Sequence, residues 1–162
     1  MACGFCRGGF SLKKNQHFEE MSSFFNPESV AVIGASPNTD TPNGKAYKAL
    51  LENGFKGKIY AVNPNYESIY DLPCYPSLDT IPDPVEMAVI AVAAARTMDV
   101  LRQCAHSGVK SVVILTSGFG ESSPAGKAME AEMEKIAKEY GLRILGPNCL
   151  GLINNVNGLW AG

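Results

Sequence analysis

At 162 residues the chain is long enough for one ordinary domain with a real core. It is 46% hydrophobic and 19% charged, with a formal net charge of −2. That balance counts against a general electrostatic binder of nucleic acid or of membrane, since both need a basic surface. No apolar run approaches the ~18 residues of a membrane span.

The five cysteines are Cys3, Cys6, Cys74, Cys104 and Cys149. Their odd number and wide spacing read as reduced thiols in a cytoplasmic protein. Cys3 and Cys6 form a C-x-x-C, which is half a zinc site with no second pair of Cys or His at a suitable distance. At the extreme terminus the pair reads as incidental. Residues 1–22 show no sustained periodicity and no apolar core of a secretory signal. Arg7, Lys13 and Lys14 leave a transit peptide open, against which Glu19 and Glu20 count. The simplest reading is a leader from an upstream start, with Met21 as the functional beginning and a domain over residues 23–162.

From Phe24 onward strands and helices alternate. Val30–Ile33 is a short apolar run ending at Gly34, as expected of a strand buried on both faces. A polar loop from Ala35 to Asn43 leads to a helix over Gly44–Glu52, with Ala46, Ala49 and Leu50 as its apolar stripe and Gly54 as its terminator. Ile59–Val62 is the second strand, ended by Asn63-Pro64. Residues 65–84 form a long connection with Pro73, Pro76, Pro82 and Pro84, holding at most a turn of helix near Ser77. Met87–Val92 is the third strand. Thr97–Ser107 is a helix with Met98, Leu101, Cys104 and Ala105 inward. Ser111–Leu115 is the fourth strand. Ser123 and Pro124 are an N-cap and first position for a helix reaching Tyr140, with Met129, Met133, Ile136 and Tyr140 on one face as core packing. Arg143–Leu145 is the fifth strand. This alternation predicts an α/β fold: a Rossmann-like, doubly wound, mainly parallel sheet of about five or six strands flanked by helices.

In such sheets ligands bind outside the carboxyl ends of the strands. The segments there are Gly34-Ala35-Ser36, Asn63-Pro64-Asn65, Ala93-Ala94, Thr116 through Glu121, and Gly146 through Gly151. They are rich in Gly, Ser and Asn and poor in charge. That suits backbone amides approaching phosphates and does not suit acid–base chemistry. Gly34 with the helix that follows is a candidate phosphate loop, since a helix N-terminus offers free N–H groups and a positive dipole end. The dinucleotide G-x-G-x-x-G is absent. An NAD enzyme also expects a carboxylate after its second strand to hold the ribose hydroxyls, and Asn63 stands there instead. A 3′-phosphorylated ribose tolerates an amide better than a carboxylate, and Lys45, Lys48, Lys56 and Lys58 are near in sequence. The catalytic inventory is thin. His17 lies in the leader and His106 at a helix end, and neither has a triad partner nearby. Glu121 reads either as functional or as a helix-start charge. Cys149 reads as a packing residue or a ligand contact.

Taken together, the runs Phe25 through Ser36, Gly54 through Pro64, Cys74 through Leu78, Ser117 through Glu121 and Gly146 through Gly151 resemble the CoA-binding first domain of ADP-forming acyl-CoA synthetases. These are relatives of the succinyl-CoA synthetase α subunit. The resemblance runs from about Phe24 to Trp160. It implies coenzyme A as ligand and a family reaction of acid, CoA and ATP giving acyl-CoA, ADP and phosphate, through an acyl phosphate and a phosphohistidine. The phosphohistidine and ATP-grasp domains are not in these residues, so they are expected as partners in cis or in trans, and this chain alone is expected to be inactive. The resemblance also implies that Gly34, Ala35 and Ser36 lie along the CoA phosphates and that Asn63 and Pro64 flank the adenosine end. Val92, Ser117 and Gly118 would line the pantetheine path, and Pro147 and Asn148 would border the reactive end. Two positions depart from the family's habit: Ala93 replaces Pro, and Asn65 replaces Lys, which removes a phosphate cation. Other readings are a stand-alone CoA-binding or regulatory protein, the equivalent domain of a protein lysine acetyltransferase, and an NAD-binding Rossmann protein. A homo-oligomer stays open, and no metal, nucleic acid or membrane partner is expected.

Overall fold

A computed structural model describes residues 16–162, with side chains from residue 21 onward. Cys3, Cys6 and the His17 side chain lie outside that description. In chain order the elements are α1 (Gln16–Phe25), β1 (Ser29–Ile33), α2 (Pro42–Glu52), β2 (Lys58–Val62), β3 (Ser68–Ile69) and β4 (Leu72–Tyr75). After a 3-10 turn (Leu78–Thr80) come β5 (Met87–Ile90), α3 (Ala94–His106), β6 (Ser111–Ile114), α4 (Pro124–Tyr140), β7 (Arg143–Leu145), β8 (Ile153–Asn154) and β9 (Leu159–Trp160). The first helix crosses residue 22, and Phe24 in its last turn is buried in the core.

Every residue of β1, β5 and β6 is buried, which a parallel sheet covered on both faces requires. Alternation along these strands divides the core into two layers. Val30, Val32, Met87, Val89 and Val113 face Ala46, Tyr47 and Leu50 of α2. Ala31, Ile33, Ala88, Ile90, Val112 and Ile114 face Leu101 and Cys104 of α3 and Met133 and Ile136 of α4. The helix ends follow their expected chemistry. The Ser123 hydroxyl accepts from Gly126 N–H at 3.0 Å. Gly54, Gly108 and Gly141 close α2, α3 and α4 in the left-handed region. Tyr140, placed by periodicity on the buried stripe of α4, is instead exposed and packs edge-on against His106, its hydroxyl 3.0 Å from Nε2.

The sheet has seven strands in the order β3-β4-β2-β1-β5-β6-β7. All neighbours run parallel except β3 and β4. The count exceeds the expected five or six because a hairpin sits inside the proline-rich connection. Pro73 belongs to β4, next to the outermost strand, and stands before the pairing with β2 begins at Cys74, where a missing N–H costs little. The chain leaves β1 for β2 on one side, then returns across β1 to β5 on the other. The topological switch point therefore lies between the carboxyl ends of β1 and β5, where open α/β sheets bind ligands.

Candidate functional site

The crevice at the switch point is narrow because Gly34 permits it. With φ at +93°, Gly34 turns the chain out of β1, and a Cβ there would lie 2.6 Å from Ala91 O and 3.0 Å from a Val92 methyl. Gly34 N–H donates to Val62 O at 2.8 Å, and Ala91 N–H donates to Ile33 O at 3.0 Å, so three strand ends are joined around it.

The loop after β1 is held by its carbonyls. Gly34 O accepts from Asn43 Nδ2 at 2.6 Å, and Ala35 O accepts from Asn63 Nδ2 at 2.8 Å. Pro37 O accepts from the Tyr70 hydroxyl at 3.0 Å, and Asn38 O accepts from Thr41 Oγ1 at 2.7 Å. Gly44 lets the loop fold onto α2, since a Cβ there would sit 1.9 Å from Asn38 O. Because Thr41 donates back into the loop, α2 starts without a side-chain cap and without an acidic residue in its first turn. Lys45 is exposed one turn into that helix. Ala35 and Ser36 are buried, and the Ser36 hydroxyl accepts from Asn38 N–H at 3.1 Å.

The loop after β6 is arranged in the opposite sense. The Glu121 carboxylate accepts from Gly118 and Phe119 N–H, and Glu130 Oε1 accepts from Gly120 N–H at 3.0 Å. The N–H bonds, that from Gly118 foremost, hold the Glu121 carboxyl below the usual carboxylate range. Three consecutive amides are thus taken by carboxylates, and a fourth, at the start of α4, by Ser123. Anions are disfavoured beside such a loop, and an uncharged ligand segment fits it. Glu121 therefore holds its own loop rather than standing free as a catalytic acid.

The remaining loops are linked in a chain. Thr116 Oγ1 donates to Val92 O at 2.7 Å, and Asn148 N–H donates to Thr116 O at 2.9 Å. Asn148 lies in the left-handed region, which Asn tolerates, after a cis Gly146–Pro147 bond. The Cys149 thiol lies 3.3 Å from Ile114 O and packs against the core, a structural position.

The structure brings Gly34, Ala35, Ser36, Asn63, Pro64, Val92, Ser117, Gly118, Pro147 and Asn148 to the same edge of the sheet. Their strands run β2-β1-β5-β6-β7, a row about 19 Å wide at ~4.8 Å per strand. Only an extended ligand reaches all of them. The lysines divide differently. Lys58 opens β2 at the opposite end of the sheet and pairs with Asp83 at 2.8 Å, while Lys56 reaches Val156 O and Lys48 pairs with Glu52. Proximity in sequence misled here, because Lys56 and Lys58 precede the strand whose far end carries Asn63. Asn43, Thr41, Tyr70 and Glu130 were not singled out from sequence. Their roles depend on contacts made only once the sheet is assembled. Among the described residues, no group of three or more His, Cys, Asp or Glu side chains forms a metal site, and no helix is long and apolar enough to cross a membrane.

A cavity of about 1020 Å³ lies elsewhere. It follows the open edge of β7, lined by Ser23, Lys110, Met133, Ala137 and Arg143, and reaches the row of loops only at Gly146 and Pro147. A groove beside an edge strand is a natural void.

Residues 28–155 match the family described as CoA binding domain. Over 139 residues the chain is 47% identical to acetate–CoA ligase [ADP-forming] II of Archaeoglobus fulgidus, covering 86% of this chain and 21% of that protein. It is 43% identical over 131 residues to the acetate–CoA ligase [ADP-forming] II subunit alpha of Pyrococcus furiosus, covering 81% and 28%. The dinucleotide forming acetyl-coenzyme A synthetase 1 of Ca. Korarchaeum cryptofilum, solved with phosphate and ADP, superimposes with a TM-score of 0.82 at 38% identity, over 87% of this chain and 30% of that one. The chain thus spans about a fifth to a third of these relatives. The Rossmann-like sheet and the match over residues 28–155 agree, and the chain belongs to the CoA-binding domain family.

Proposed function

We propose that this chain serves as the CoA-binding domain of a cytoplasmic ADP-forming acyl-CoA synthetase, and that coenzyme A lies across the row of strand ends with its phosphates at the β1–α2 loop. The observation that carries this reading is the contrast between two loops. After β1 the carbonyls are held by side-chain donors and the helix start is uncapped. Within this loop the amides of Asn38, Asp40 and Thr41 are taken by Ser36 Oγ, Asn38 Oδ1 and Asn38 O, so the N–H groups offered to an anion are those of Ala35 and Ser36 and of the uncapped first turn of α2, reinforced by the helix dipole. After β6 the amides are already taken by Glu121 and Glu130. A ligand that is polyanionic at one end and neutral along its arm matches this asymmetry, and coenzyme A is such a ligand.

In this pose Gly34, Ala35 and Ser36 run along the phosphates, with Lys45 the nearest exposed cation in sequence. Asn63 and Pro64 border the adenosine end, with Asn63 acting through its bond to Ala35 as much as on the ligand. Val92, Ser117 and Gly118 flank the neutral arm, and Pro147 and Asn148 its thiol end. The domain binds and orients the thiol; transfer of the acyl group belongs to phosphohistidine and ATP-grasp domains in cis or in trans. Calorimetry with CoA and NAD tests the reading. Saturable binding of CoA with none of NAD is expected, and no CoA binding at millimolar concentration overturns it.

A further inference from the structure

Ile69 pairs with Leu72 across the β3–β4 hairpin, so its turn consists of Tyr70 and Asp71 alone. Both adopt positive φ, 55° and 61°. Turns of this kind favour Asn and Gly, and a tyrosine there is strained. Such strain persists only where the surroundings fix it, and it gathers at functional sites. Burial does not fix Tyr70, which is 42% exposed. Two contacts do. Its ring stacks on Tyr47 of α2, with centroids 6.1 Å apart and planes 7° from parallel. Its hydroxyl donates to Pro37 O at 3.0 Å, across 33 residues of sequence.

Pro37 sits in the middle of the loop assigned to the phosphates. Its neighbours are held by donors from the loop itself, from α2 or from β2, while Pro37 depends on a strand pair at the margin of the sheet. Pro37 carries no N–H of its own, so its carbonyl is the one backbone handle at that point. Stacking alone would be served by any aromatic ring. The hydroxyl bond is the part that concerns the loop.

We propose that Tyr70 is a positioning residue for the phosphate loop: the strained β3–β4 turn presents its phenol as a latch on Pro37, so that the neighbouring Ala35 and Ser36 amides stand ready for the ligand's anionic groups. This rests on the CoA reading above. The latch would act on the phosphate-bearing half of the ligand and not on its neutral arm.

The test titrates the full chain and Tyr70→Phe with CoA and with 3′-phosphoadenosine 5′-diphosphate, which keeps the phosphates and lacks the arm. The phenylalanine keeps the stacked ring and removes only the hydroxyl. Affinity for both ligands is expected to fall by the same factor, roughly three- to tenfold for one lost hydrogen bond. The apo melting temperature is expected to hold, and the Asn38 and Thr41 amides to exchange faster. Tyr70→Asn, which relieves the turn, is expected to fold at least as stably and to bind as weakly as Tyr70→Phe. Equal affinities for wild type and Tyr70→Phe would overturn the latch while leaving the CoA reading intact. A wild-type chain that binds neither ligand would instead remove the CoA reading and the latch with it.

Discussion

Asn63 Nδ2 donates to Ala35 O across 2.8 Å, while Asn63 Oδ1 accepts from Asn65 N–H at 3.0 Å. One amide thus joins the end of β2 to the β1–α2 loop and shapes its own turn. Asn63→Ala leaves the carbonyl of a buried residue unpaired, so a loss of about 1–3 kcal/mol in denaturant unfolding is expected. Calorimetry should show CoA binding weakened by roughly tenfold or more. Asn63→Asp should be worse for binding, since a carboxylate cannot donate to Ala35 and repels a phosphorylated ligand.

Gly34→Ala confronts both a positive φ of 93° and Ala91 O at 2.6 Å from the new Cβ. The obstacle is backbone, so the switch point itself must open. Strain of this kind costs of order 1–3 kcal/mol, and the variant should show a lower melting temperature together with loss of CoA binding. Gly54→Ala, also at positive φ but with open space around the Cβ, should lose stability and retain CoA affinity.

The loop after β6 should respond to acid. Its N–H donors, Gly118 first, hold the Glu121 carboxyl below the ordinary range. A carboxylate depressed in the folded state contributes fully above its unfolded value, about 4.3, and its contribution is lost as pH falls through the lower folded value. The NMR signals of the Gly118 and Phe119 amides should therefore hold steady from pH 7 to about 5 and shift only below it. Glu121→Gln should move those signals already at pH 7.

Burial pushes the Cys104 thiol up to about 12. Its thiolate is disfavoured in the folded chain, so it favours the native state fully below the unfolded value of about 8.5 and less as pH rises toward 12. Peptide mapping after iodoacetamide at pH 8 should find Cys104 unmodified in the native protein and modified once denaturant unfolds it. Half-buried Cys149 should react sooner than Cys104.

The central strands were legible in sequence because Val30–Ile33 and Val112–Leu115 are unbroken apolar runs between polar or turn residues, and full burial of a parallel strand leaves that mark. The β3–β4 hairpin was not legible. Its strands are short, one contains Pro73, and the Tyr70-Asp71 turn lacks the Asn-Gly chemistry that announces such hairpins. Gly34 and Asn63 could be picked out because they follow strands at the ends where ligands bind. The donors that hold the loop, Asn43 and Tyr70 above all, had no local signal. The bond from Tyr70 to Pro37 exists only after β4 has paired with β2, and the carboxylate caps of the β6 loop need α4 folded back on it.

The most direct test of the central claim is an amide NMR titration of the full chain with CoA. The account predicts saturable shifts confined to residues 34–44, 63–65, 91–93, 116–121 and 146–149, with the 3′-phosphoadenosine 5′-diphosphate fragment reproducing those at 34–44 and 63–65. Absence of binding at millimolar CoA would contradict it, as would shifts along the β7 groove at Lys110, Ala137 and Arg143 in place of the strand ends.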